Sequence, residues 1–212
     1  MHEHRGLRIR TELSELCDPS RLALLVYDMQ VGIVAQIDHG DRVTANVARV
    51  LSAARRAGVR TFFTRHMSLP VAASGVSAVR TAMAWQRKTD PRQIVSPFPR
   101  DSPQFAIVPE VQPGPDDVVF DKIAMSAFVG TPLEFALRDC AIEAFAVVGV
   151  AMEVGIEPTA RHATDLGFVP IIVTDACGYG HEDAAKRSLE TLEFAGGTLQ
   201  TDTATLAALL ES

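Results

Sequence analysis

The chain has 212 residues, 47% of them hydrophobic and 22% charged, with a formal net charge of -6 at neutral pH. That length carries a sizeable core, and an acidic balance without any block of lysine and arginine argues against a nucleic-acid-binding protein. No apolar run reaches the roughly 18 residues of a membrane span, and residues 1–10, with His2, His4 and three arginines, lack the apolar centre of a secretory signal.

In chain order, Leu22 to Tyr27 is a continuous apolar run, the mark of a strand covered on both faces. Val43, Val47, Val50, Leu51 and Ala54 then recur at helical spacing, with Gly58 placed as a C-terminal cap. Val59 to Thr64 reads as a second strand. Residues 68–117 carry eight prolines and a broken apolar pattern, so they are expected to form a long covering segment with short helices, one over 77–87. Alternation then resumes: a strand over 118–120, a helix over 132–140, a strand over 144–150, a helix over 156–166 ending at Gly167, and a strand over 169–174. A helix over 182–195, a short strand over 198–201 and a last helix over 204–210 complete the chain. This alternation predicts an α/β fold, a Rossmann-like doubly wound parallel sheet flanked by helices, in a single domain over 1–212.

Three cysteines, Cys17, Cys140 and Cys177, form neither a paired framework nor a metal spacing, and suit a reducing cytoplasm. His66, His162 and His181 have no partners at ligand spacing, so no metal and no cofactor are expected. Ligands of open α/β sheets bind beyond the carboxyl ends of the strands. Asp28, Lys122 and the Ala151–Gly155 turn all follow strands, which places them at one rim. A carboxylate there needs a cationic partner, and Lys122 is the available one. The ammonium favours the charged carboxylate while desolvation disfavours it, leaving open whether Asp28 works as acid or base. Taken alone, Asp28 reads equally as a helix cap. Gly155 reads either as a plain turn glycine or as part of an anion hole made by the amides of Ala151 and Gly155 at a helix start.

Three blocks carry a resemblance. Tyr27-Asp28-Met29-Gln30 is similar to a D-x-Q signature. Lys122 with Ser126-Ala127-Phe128 and Thr131 is similar to K-x-x-x-S-A-F-x-x-T. Gly149 to Arg161, with Asp175-Ala176 beyond, is similar to a strand–turn–helix block that usually bears a cysteine. In order and spacing the chain resembles the isochorismatase-like hydrolases from about Ala23 to Leu210, with glycine at 155 in place of the thiol. The resemblance implies an Asp28–Lys122 pair and a non-proline cis peptide at Val150–Ala151. Members lacking the cysteine include isochorismatases, which cleave an enol ether by protonating it and letting water attack.

The expected function is hydrolysis of a small metabolite through Asp28 and Lys122, with Gly155 at the turn and Val150 and Ala151 forming the charge-stabilising bend. The alternatives are a catalytically silent binding or assembly protein and an amidase using activated water. Gln30, Arg65, Trp85, Arg87, Phe128 and Met152 are the candidates to contact the substrate. A small molecule is the expected partner, with no nucleic acid and no membrane, and the family resemblance implies a homo-oligomer.

Overall fold

The computed structural model describes residues 2–212. An exposed hairpin, β1 (His2–His4) and β2 (Leu7–Ile9), precedes a short helix α1 (Leu13–Leu16) and the strand β3 (Leu22–Tyr27). Next come α2 (Val31–Val34), α3 (Gly40–Arg56), β4 (Arg60–His66) and α4 (Val76–Gln86). After the proline-rich segment follow β5 (Val118–Lys122), α5 (Leu133–Asp139) and β6 (Ala144–Val150). The chain ends with α6 (Glu157–Asp165), β7 (Val169–Gly178), α7 (Glu182–Ala195), β8 (Leu199–Thr201) and α8 (Thr203–Leu210). No helix of the described residues is long and apolar enough to cross a membrane.

The six-stranded sheet has the order β5-β4-β3-β6-β7-β8, and every pairing in it is parallel. All six residues of β3 are buried, which is why its sequence does not alternate. Leu22, Leu24 and Val26 pack toward α3 and α8, whereas Ala23, Leu25 and Tyr27 pack toward α5, α6 and α7. The chain winds outward from β3 through β4 to β5, then returns to β6 and winds the other way. The order therefore reverses between β3 and β6, and a crevice opens beyond their carboxyl ends.

Several elements depart from the sequence expectation: the short helices α1 and α2 have no counterpart in it, and β4 and β5 each end two residues further on, at His66 and Lys122. β7 runs to Gly178 rather than stopping at Thr174, because beyond a register shift Cys177 and Gly178 pair with Gly149 and Val150 of β6, while the Asp175 carboxylate accepts from the Thr203 amide at 2.8 Å and its hydroxyl at 2.9 Å. A polar residue that serves a neighbouring helix start does not end the strand. The hairpin at 2–9 carries no buried residue, so no apolar pattern announced it.

The proline-rich segment divides in two. From Pro70 to Gln93 no residue is buried, and this stretch holds α4. From Ile94 onward Phe98, Phe105, Ile107, Val108 and Val111 are buried. Single turns begin at Pro91, Pro103 and Pro109, where the fixed φ of proline suits the first helical position.

Candidate active site

Asp28 follows β3 at the point of reversal with a left-handed backbone, φ 46°. Aspartate tolerates that conformation better than most residues, and it turns the chain out of the sheet immediately after the strand. The Thr64 hydroxyl donates to one carboxylate oxygen at 2.7 Å, and the Lys122 ammonium donates to the other at 2.6 Å. Lys122 stands two strands away, at the end of β5. Both groups are almost fully buried, at 3% and 2% exposure. Lys122 also donates to the Tyr27 hydroxyl at 2.8 Å and the Ala124 carbonyl at 3.2 Å, so its three protons are all engaged.

The opposite wall comes from β6. Gly149 has φ 127°, and a Cβ there would lie 2.8–2.9 Å from the Tyr27 backbone, so only glycine lets β3 and β6 approach so closely. The peptide Val150–Ala151 is cis. The chain then makes a single π turn, Met152–Ile156, before α6. The Ala151 carbonyl gathers the amides of Val154, Gly155 and Ile156 at 3.3, 3.0 and 3.1 Å.

A cavity of about 430 Å³ opens between these walls. Asp28, Val150, Ala151 and Gly155 line it, as do Trp85 and Arg87 from the end of α4. Lys122 lies beneath Asp28 and does not face the space.

Four candidates for substrate contact do not line it. Gln30 is fully buried and its amide is a structural tie: Nε2 donates to the carbonyls of His66 and Phe105, and Oε1 accepts from the His66 amide. Arg65 is taken up by Asp121 at 2.8 Å and by the Phe105 ring, 4.4 Å from its centroid. Phe128 packs among Phe145, Phe168 and His162, and Met152 is core at 1% exposure. Of the two amides expected to form an anion hole, that of Gly155 is not free: it donates to the Ala151 carbonyl at 3.0 Å. Nor does Gly155 adopt positive φ, so conformational freedom is not why it is glycine.

Tyr27, His66, Phe98, Met125 and Glu153 line the cavity without having been singled out as substrate contacts. Glu153 accepts from the Gly180 and His181 amides at 2.8 Å each, fixing the loop before α7. Burial chiefly, then the Lys122 ammonium and against the pull of Asp28, holds the His66 imidazole below its ordinary value of 6.5. The unfolded chain therefore takes up a proton at 6.5 that the folded chain resists. Stability from this residue is complete above that pH and is lost as the pH falls toward the lowered folded value. Urea unfolding at pH 7.5 and 5.5 should show a larger loss for the parent than for His66→Asn.

Burial raises the Cys17 thiol to about 11 and pushes the Cys177 thiol further still. Neither lines the cavity, and thiolates rather than thiols react. Alkylation of the native protein should modify no cysteine other than Cys140, as read by peptide mass spectrometry, and should leave turnover intact.

The isochorismatase domain model matches residues 22–204 of this chain. The chain belongs to the isochorismatase family. It is 32% identical over 161 residues to the uncharacterized isochorismatase family protein YwoC of Bacillus subtilis (strain 168), covering 75% of this chain and 78% of that one. It is 30% identical over 174 residues to the ureidoacrylate amidohydrolase RutB of Serratia proteamaculans (strain 568), covering 74% and 70%. A cysteine hydrolase structure from Pseudomonas syringae pv. phaseolicola 1448A superposes with a TM-score of 0.78 over 91% of this chain and 93% of that one. At 24% identity that likeness speaks for the fold alone.

Proposed function

We propose that this protein, an isochorismatase-family hydrolase, cleaves a small metabolite by proton transfer at Asp28 and attack by water, without a covalent enzyme intermediate. The observation that carries this reading is Asp28, held by Lys122 at 2.6 Å, lining a cavity whose other wall at Gly155 bears no nucleophile. For an enol ether, Asp28 in its protonated form gives a proton to the vinyl carbon and the resulting oxocarbenium takes water. The adduct returns a proton to Asp28 and collapses to a ketone and an alcohol, so atoms and charge balance. Lys122 keeps the carboxylate aimed and compensates its charge when the proton leaves. Arg87 and Trp85 at the rim suit a substrate with an anionic group and a flat ring.

A second reading, an amidase that attacks with activated water, is favoured by the likeness to an amidohydrolase. A panel of isochorismate, other enol ethers, ureido acids and simple amides separates the two. Turnover of an enol ether with no amide cleavage is the expected result, and cleavage of amides alone would replace the first reading with the second. No turnover of any member would favour a protein that binds without reacting.

A further inference from the structure

Gly155 lacks a side chain for a reason that lies on another strand. A Cβ at this position would sit 2.5 Å from Tyr27 Cε1, and closer still to Cζ and the hydroxyl oxygen. Real Cβ atoms do not approach ring carbons so closely, and the ring cannot retreat. Tyr27 is 1% exposed, its hydroxyl donates to the Met125 carbonyl, and Lys122 both donates to that hydroxyl and lies 4.3 Å from the ring centroid. The π turn cannot yield either. Its amides converge on Ala151, and the Thr159 hydroxyl donates to the Gly155 carbonyl at 2.7 Å.

We propose that Tyr27 and Gly155 form one steric unit in which the phenol fills the volume owed to a side chain at 155, bars any nucleophile there, and holds the Lys122 ammonium as a positioning residue. The hydroxyl belongs to the Asp28–Lys122 cluster as its third polar group. Burial chiefly, and then the Asp28 charge, pushes its ionisation well above the ordinary value of 10, so it serves as a neutral hydrogen-bonding group rather than as a phenolate. The substrate class narrows accordingly to compounds that water cleaves without a group of the substrate first being transferred to the enzyme. The positioning role rests on the hydrolase reading above, and the steric unit does not.

The steric unit is tested without turnover. Gly155→Ala should lower the melting temperature by about 5–10 °C in the parent, the consequence of overpacking against a fixed ring. It should do the same in Tyr27→Phe, which keeps Cε1 and Cζ. In Tyr27→Val it should cost nothing beyond the effect of the valine. Should the valine background fail to fold, Tyr27→Leu replaces it, since leucine ends short of the ring atoms concerned. A Gly155→Ala protein as stable as the parent, or equal losses in all backgrounds, would overturn the unit.

Gly155→Cys supplies an independent reading. Combined with Tyr27→Val, or with the leucine replacement, its thiol should be alkylated by iodoacetamide at pH 7 at least about tenfold faster than Cys17, Cys140 or Cys177, because it opens on the cavity beside an ammonium. A thiol equally reactive with Tyr27 in place, in a protein of parental stability, refutes the proposal. The positioning role is read from the Lys122 side-chain resonances in lysine-labelled protein. Tyr27→Phe should shift them although the fold is retained, and unchanged resonances would remove that role. If the hydrolase reading alone is wrong, these stability and labelling results stand while Asp28→Asn has no activity to abolish.

Discussion

Asp28→Asn should lower kcat by about 10²–10⁴-fold on whichever substrate is turned over, the usual contribution of a positioned proton-transfer group, with KM little changed. The substitution keeps the shape of the side chain. Its amide oxygen can still accept from Lys122, which now donates to Asp28 at 2.6 Å, and the fold is retained. What disappears is the ability to give and recover a proton. Steady-state kinetics on purified protein checks this, with circular dichroism to confirm the fold. A rise in KM alone, with kcat preserved, would make Asp28 a binding group and end its role as proton carrier.

Lys122→Met should be the most damaging single change to stability, about 3–5 kcal/mol, because it strands a buried carboxylate. Asp28 is 3% exposed, and with the ammonium gone its remaining side-chain donor is Thr64. Methionine fits the space, so the loss measures the missing charge rather than a cavity. Urea unfolding should show the double variant Asp28→Asn/Lys122→Met to be less destabilised than the sum of the two single changes, by about 0.5–3 kcal/mol, since no uncompensated charge is left. Strict additivity would mean that the two groups do not act as a pair.

The sheet was legible because buried parallel strands need uninterrupted apolar runs, and Leu22–Tyr27 and Ala144–Val150 supply them. Asp28 and Lys122 were legible for a related reason: each is a charge at the end of such a run, and a charge there needs a partner. Direction was not legible. Gln30 and Phe128 stand beside the site in sequence, yet their side chains turn into the protein, and residue type does not encode that turn. Tyr27 closes the apolar run of β3, and the signal of its further role is the polar tip of an aromatic at the last position of a strand. The reason for the glycine at 155 lay in a contact with a residue 128 positions earlier, which no local pattern expresses.

The two halves of the proline-rich segment differ in what they lose by moving. Gln30 rivets the backbone at His66 to the backbone at Phe105, and displacing that floor would strand a buried amide. The stretch from Pro70 to Gln93 has no buried residue, so its opening costs little free energy against global unfolding. Arg87, suited to an anionic group, and Trp85, suited to a flat ring, both lie on this part. On the proposed reading, recognition rests on a stretch that buries nothing, and proton transfer on a centre locked among buried partners.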